Sequence, residues 1–507
     1  MDFGDVWMAL GIDFSVVQGA VNFMYKNDPT FQVIEKPGVY RLELLQPQIE
    51  ARPPCAPVPY RMVLHLSGNL RIEGQNADLL FDAAVVLNPA LADDADGNPV
   101  GVLSYGGIEG IQPAFAQGEL DAQFQPNGTV GKKLAGMELP VFGGLLDAAT
   151  RVLHPPVDPD PDDDEEPPVT IDLNEFALAF SIGQPAPLRR PVYGVEDDEP
   201  FLDLDFSLLT TPALVATLAL AGTDPVIPDQ VSVVKPGSGL QLVMTKAMFD
   251  ARLANEATET IGTESSGVTI DTLALEAVDG GIAVQGTGHK TGADVEFHGT
   301  VIALYRGRTD GRLAMLPAIH TDIDTSWWVD VLSVVAILGF GLFGFILVDM
   351  FVFMPKSVGP DKVRKALSEK FLEPLKKAAD GVSAAFAVEN IPSAAYLDDI
   401  WVFDGNYAVA AVALLGSNTA TIERVTYDVA AVGPPPNVHT NRRRPVKSVH
   451  AVELSTGQSL TVPQVAKAVD VGLLEIPDHH VVHNVRALEG VYLRSDPNDT
   501  TSDNLIT

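Results

Sequence analysis

Residues Gly239–Ala257, GLQLVMTKAMFDARLANEA, decide the fold that we predict for this chain. A short apolar run comes first and reads as a β-strand. It leads directly into a segment in which Phe249, Leu253 and Ala257 recur at the spacing of one helical face. The stretch therefore predicts a strand followed at once by an amphipathic helix.

The same order occurs near the start of the chain. Residues Val6–Asn22, VWMALGIDFSVVQGAVN, can be laid over the first stretch at a constant offset, which indicates an internal repeat. Here Phe14, Val17 and Val21 mark one helical face, and Asp13 is placed to cap the helix N-terminus. The repeat predicts two strand–helix units.

Strand patterns follow each predicted helix. In the second unit, Ile270–Val278 and Ile282–Gly288 flank a glycine turn and predict a β-hairpin. Later, Trp401–Phe403 and Tyr407–Leu415 flank the turn Asp404–Asn406 and predict another hairpin. Each unit is thus expected to hold an antiparallel meander.

One stretch does not fit a water-soluble sheet protein. Trp327–Met354 reads WWVDVLSVVAILGFGLFGFILVDMFVFM, and its central part is free of charge and long enough to span a bilayer. It must be buried, covered by a partner or placed in lipid, and we favour a helical projection that contacts a membrane or a partner over a core helix. The residues expected to touch the membrane are Trp327, Trp328, Leu338, Phe340, Leu342, Phe343 and Phe345.

The acidic balance of the chain restricts its partners. The 507 residues include 33 Lys and Arg against 67 Asp and Glu, a formal net charge of −34. Such a surface repels nucleic acid, so we expect no nucleic-acid partner. The single cysteine, Cys55, excludes an intrachain disulfide. No secretory signal is visible at the N-terminus, so we expect a cytoplasmic protein or one released by a non-classical route, with membrane association through the apolar stretch.

The motifs that carry chemistry are missing or out of context. Gly339–Gly344 matches G-x-G-x-x-G, but a dinucleotide site needs a βαβ unit and a distal acidic residue, so we expect no cofactor. His479 and His483 belong to H-H-x-x-H, but the valines around them predict a strand, which separates the two histidines by about 13 Å. We therefore expect no metal site, no catalytic residue and no enzymatic activity.

A helix beside a curved meander, given twice, resembles the tubular lipid-binding (bactericidal/permeability-increasing-like) superfamily, which includes clostridial neurotoxin-cluster accessory proteins. The residues that carry this resemblance are Gly239–Tyr305 and, more weakly, Val6–Val86, and they imply coverage of about residues 1–430. The C-terminal residues Val491–Ser495, Asp496–Thr500 and Asp503–Leu505 are similar to a small bacterial domain of unknown function.

The resemblance implies an α+β fold of two tandem modules. Each module has a long amphipathic helix clasped by a strongly curved antiparallel sheet, with an apolar helical insertion and a small C-terminal α+β domain added. The boundaries that we expect are residues 1–228, 229–432 with the insertion at 327–354, a linker at 433–446, and 447–507.

The superfamily also implies an apolar seam between helix and sheet that admits acyl chains. The residues expected to line it are Phe14, Val17, Val21, Phe249 and Leu253. The expected function is to bind a lipid or another hydrophobic ligand there and to engage a membrane through the apolar stretch. The alternative is a non-catalytic structural or accessory component of a bacterial toxin or secretion assembly, with a protein partner.

Overall fold

A computed structural model describes most of the chain outside its central apolar region. The described residues are 1–53, 60–75, 78–113, 173–189, 192–196, 199–203, 207–262, 264–265, 268–279, 281–290, 293–302, 305–307, 313–315, 318–321, 393–416, 419–428, 448–470, 472–477, 479–483 and 491–495, together with separate positions between 122 and 149.

The elements follow one another in three groups. The first group is β1 (Val6–Asp13), α1 (Phe14–Asn27), α2 (Pro29–Gln32), β2 (Val33–Lys36), β3 (Tyr40–Leu44), β4 (Gln48–Arg52), β5 (Arg61–Ile72), β6 (Leu79–Asp93), β7 (Pro99–Gln112) and β8 (Glu138–Leu139). The second is β9 (Phe176–Gly183), β10 (Pro187–Arg189), β11 (Val192–Glu196), β12 (Glu199–Asp203), β13 (Ser207–Leu209), β14 (Ala213–Leu220), β15 (Leu240–Met244), α3 (Lys246–Thr260), β16 (Glu264–Ser265), β17 (Val268–Val278), β18 (Gly281–Lys290), β19 (Ala293–Ile302), β20 (Tyr305–Gly307), β21 (Leu313–Met315) and β22 (Ala318–Thr321). The third is β23 (Ser393–Phe403), β24 (Asn406–Leu415), β25 (Ile422–Asp428), β26 (Ser448–Leu454), β27 (Ser459–Leu460), α4 (Val462–Asp470), β28 (His479–His483) and β29 (Val491–Ser495).

A central antiparallel sheet joins the two halves of the chain, in the order β23-β24-β15-β1-β14-β9. β1 lies between β14 and β15, so that Leu10 is opposite Ala216 on one side and opposite Leu242 on the other. Leu10 packs into the cluster on the inner face, whereas Ala9 packs into the cluster on the outer face. A strand covered on both faces reads as a continuous apolar run, and this accounts for the composition of β1.

Two further sheets cover the helices. The first is seven-stranded and has the path β2-β3-β5-β6-β7-β8, with β4 also paired to β5. Alternate residues of its strands, such as Leu42 and Leu64, share one buried cluster with α1. The second has the order β16-β17-β18-β19-β22, and Ile270 and Leu273 of β17 share that cluster with α3.

The predicted fold class, α+β with two tandem modules built on long helices, is wrong. The described chain is mostly β-sheet, and its two largest helices, α1 and α3, have only 14 and 15 residues. Fifteen helical residues span about 22 Å, whereas a strand of the length of β6 reaches about 50 Å, so the sheets supply most of the surface that builds the core. The halves are not separate modules, because β1 and β15 are neighbours in one sheet. The predicted helical insertion lies outside the described residues.

A connecting segment crosses the outer face of the central sheet at close range. A Cβ atom on Gly11 would lie 2.4 Å from Cγ2 of Val234 and 2.8 Å from Cγ2 of Val233. Real Cβ atoms do not approach other carbons so closely, so β1 needs glycine at this position. The valines of the segment complete a second apolar cluster with Trp401 and Phe403.

The elements from β25 to β29, with α4, form a smaller apolar cluster of their own, and we call them the C-terminal unit. β26 pairs with β25 and β27, while α4 packs beside β29. Val412 and Leu414 of β24 belong to this cluster, so the unit covers one end of the central sheet. The predicted domain boundaries stay predictions, and the predicted linker at 433–446 lies outside the described residues.

Candidate functional site

The first wall of the candidate site is α1. An oxygen of Asp13 accepts a hydrogen bond from the Ser15 amide at 2.7 Å, which caps the helix as predicted. The apolar stripe of α1 faces inward, because Val17 and Val21 are fully buried and Phe14 is 8% exposed. The predicted binding residues of the first helix therefore lie in the core.

The second wall is α3. Thr245, directly before the helix, donates its amide hydrogen to the carbonyl oxygen of Trp7 at 2.9 Å and so ties α3 to β1. Phe249 and Leu253 are buried, and the ring of Phe249 lies 5.6 Å from the ring of Tyr407, centroid to centroid. Burial raises the pKa of the Tyr407 hydroxyl above its ordinary value, which keeps this group neutral.

The floor between the walls is the inner face of the central sheet. Both α1 and α3 contact β1 and β24, and β15 lies between those two strands. Leu242 of β15 packs against the same cluster as both helices but is only half-buried. Its neighbour in the row across the sheet is Leu10, followed by Ala216 and Phe180, all of them buried. We call this region, formed by α1, α3 and the row through Leu242, the seam.

The structure brings the predicted binding residues of both helices into one apolar cluster. It also adds residues that the sequence did not single out, such as Leu242, Ile182 and Ala411, which are half-buried on the same face. The alternation of apolar residues in β9 and β15 was the available signal. It did not reveal the shared floor, because local patterns do not say which distant strands become neighbours.

The side chains that form the seam are predominantly apolar. Within the described part of the chain, the buried polar side chains are all uncharged: Asn22, Thr210, Thr217, Ser232, Ser238, Gln241, Thr245, Asn406, Thr456 and Gln458. Among the same residues, no group of three His, Cys, Asp or Glu is placed to hold a metal ion. His479 and His483 lie on β28, a strand as predicted. The seam therefore favours contact with apolar ligands over acid–base chemistry.

A charged network lies apart from the seam, on strands β4, β5 and β7. The carboxylate of Glu109 pairs with both Arg52 and Arg61. Glu50 pairs with His65 and, at 3.2 Å, with Arg52. The hydrogen bond with His65, followed by that with Arg52, lowers the pKa of the Glu50 carboxyl below its ordinary value.

The predicted membrane-contacting residues, from Trp327 to Phe345, lie outside the described residues. Within the described chain, none of the helices has the length and apolar character that crossing a bilayer requires.

Comparison with known proteins gives loose structural likenesses. The chain is similar over 81% of its length to the crystal structure of P47 of Clostridium botulinum E1, with 8% identity, a TM-score of 0.31 and 99% of that chain covered. It is similar over 81% of its length to a lipopolysaccharide binding protein, with 9% identity, a TM-score of 0.22 and 99% of that chain covered. Scores this low carry no conclusion about fold or function. No protein-family model and no curated protein sequence matches the chain.

Proposed function

We propose that this protein binds a lipid or another hydrophobic ligand in the seam and acts without catalysis. The observation that carries the proposal is the half-buried Leu242, which packs against the apolar cluster that contains residues of both helices. An acyl chain placed along this row would replace water at Leu242 and gain about 0.8 kcal/mol for each methylene that it buries.

The apolar composition of the seam also limits which features of a ligand it can select. Its walls offer Val17, Val21 and Leu253, which carry no hydrogen-bonding side-chain group. A ligand held by such walls is selected by the length and shape of its apolar part, because its head group finds no charged partner among the buried side chains that the structure describes. We therefore expect chain-length preference and weak head-group preference.

Native mass spectrometry of the purified protein, combined with lipid extraction, tests whether it carries a ligand. A bound species that leaves on extraction supports the proposal. Protein that is free of lipid and also fails to bind added fatty acid contradicts it. A fixed stoichiometry with a protein partner would then favour the alternative, a structural component of an assembly.

The location is tested by filling the seam. Leu242→Trp places a larger side chain on the floor and should weaken binding of a fluorescent fatty acid. Leu80→Trp is the matched control, because Leu80 lies on β6 and is 83% exposed. Equal binding by the two variants would place the ligand elsewhere.

Membrane engagement by the stretch 327–354 is a further part of the proposal, supported by its apolar sequence alone. Gly341→Asp and Leu342→Asp should abolish liposome flotation while the melting temperature stays unchanged. A wild-type protein that does not float, together with variants that melt at lower temperature, would identify the stretch as core.

A further inference from the structure

The C-terminal unit reaches into the body of the protein through one tight turn, Leu454–Gln458. β15 begins at Leu240, opposite Ala411, whereas β24 continues to Leu415. In this continuation, the side-chain amide of Gln458 donates to the carbonyl oxygen of Ala413 and accepts from the Leu415 amide at 2.9 Å. A carboxamide has one donor side and one acceptor side, so Gln458 bonds the strand as a peptide group would.

The same turn contacts α1. The side-chain amide of Asn22 donates to the carbonyl oxygen of Gly457 at 2.9 Å, and this hydrogen bond is buried. Gly457 has a φ of +90°, and a Cβ atom there would lie 2.8 Å from Cβ of Asn22. Glycine is therefore required on both counts, because the backbone of the turn passes directly against the helix.

An ion pair adds to this contact at the last turn of α1. Nζ of Lys26 lies 2.7 Å from a carboxylate oxygen of Glu423 and 3.8 Å from one of Glu453. Both carboxylates belong to the sheet of the C-terminal unit. The pair is partly exposed and contributes less than the buried hydrogen bonds of Asn22 and Gln458.

A ligand cannot reach the inner face of α1 while the helix is in place. Val17 and Val21 are fully buried, so an acyl chain that touches them must first displace the helix from the sheets. Local opening of this kind is resisted by the hydrogen bonds that the helix makes to its surroundings. On the side of the C-terminal unit, the buried bond among them is the one from Asn22 to Gly457.

We propose that the turn Leu454–Gln458 is a latch that holds α1 closed and sets the rate at which a hydrophobic ligand enters the seam. The C-terminal unit would then regulate uptake without touching the ligand. The inference has two parts. That the turn sets the rate of ligand entry rests on the proposed function, whereas that the turn holds α1 against the sheets does not depend on any ligand.

The test uses the full chain and Gln458→Met, which keeps the size of the side chain and removes both hydrogen bonds. These bonds hold the turn on β24, so their loss should release Gly457 from its buried hydrogen bond with Asn22 of α1. Hydrogen exchange of amides 17–27 should then become about tenfold faster, as expected when the helix loses about one net hydrogen bond. Uptake of cis-parinaric acid, a fluorescent fatty acid, should accelerate by a similar factor in stopped-flow experiments. Asn22→Ala removes the other contact and replaces Gln458→Met if that variant does not fold.

Gln464→Met is the matched control. Gln464 lies in the same unit and donates to the carbonyl oxygen of Gly237, on the connection before β15. This variant should leave exchange in α1 and uptake unchanged.

The outcomes separate the two proposals. Unchanged exchange in α1 would show that the turn is no latch, and faster exchange with unchanged uptake would show that the latch does not gate the seam. A wild-type protein that takes up no fatty acid would overturn the proposed function and with it the gating, while the exchange rates would still report whether the turn holds the helix.

Discussion

Leu10 and Leu242 lie opposite each other on neighbouring strands, although they come from different halves of the chain. Leu10 is 8% exposed, whereas Leu242 is half-buried, so the row across the central sheet is covered unevenly. Because β1 and β15 are paired here, α1 and α3 share one apolar cluster on the same sheet. The two modules that the sequence suggested therefore form a single body.

Truncation of the buried helix faces should destabilise the protein strongly. Leu253 and Phe249 are 0% and 2% exposed, so Leu253→Ala or Phe249→Ala should lower the free energy of unfolding by about 2–5 kcal/mol. Urea denaturation measures the loss. Leu80→Ala, at a position that is 83% exposed, should change it little, and an equal effect at both kinds of site would contradict the packing.

Gly11 should tolerate no side chain. Gly11→Ala brings a methyl group against Val233 and Val234 and should cost about 1–3 kcal/mol through overpacking. Gly110→Ala is the control, because no atom lies within 4 Å of the added carbon. Gly11→Ala should melt at a clearly lower temperature than Gly110→Ala. Similar melting temperatures would mean that the segment with Val233 and Val234 moves aside at little cost.

Removal of β26–β29 and α4, the greater part of the C-terminal unit, tests the predicted domain boundary. A chain that ends at Pro436 should stay folded, because the main cluster does not include that unit. It should nevertheless melt at a lower temperature, since Val412 and Leu414, now 1% and 5% exposed, would face water. An unchanged melt would show a fully independent unit, and an insoluble product would show that the unit completes the main core.

The stability should depend on pH through Glu50. Its pKa is lowered in the folded protein by His65 and then Arg52, so its contribution is fully present above the ordinary glutamate pKa of about 4.3. The contribution is lost as the pH falls through the lowered pKa. Glu50→Gln should therefore reduce the drop in melting temperature between pH 7 and about pH 3. Glu43→Gln, which removes the same charge from an exposed pair with Arg41, is the control.

Local features could be predicted from the sequence where one short segment contains all the determinants. The N-cap at Asp13, the hairpin that became β17 and β18, and the hairpin turn at Asp404 are confirmed. Turn residues and apolar alternation act over a few residues, so they can be read without knowledge of the rest of the chain.

The assembly could not be predicted in the same way. The repeat of strand and helix in Val6–Asn22 and Gly239–Ala257 was interpreted as two modules, yet the two strands pair with each other. Register between distant strands depends on which surfaces they bury together, and no local pattern states it. For the same reason the stripes of α1 and α3 were predicted as seam residues, whereas the floor at Leu242 was missed.

The place of β1 in the sheet has a consequence for biosynthesis. Both of its neighbours come late in the chain: β14 starts at Ala213 and β15 at Leu240. At about 5–20 residues per second, a ribosome needs roughly 10–50 s to make the chain from β1 to the end of β15. The first strand has two unpaired edges until β14 is made and keeps one until β15 is made, and an apolar strand with a free edge is the kind of segment that aggregates or recruits a chaperone.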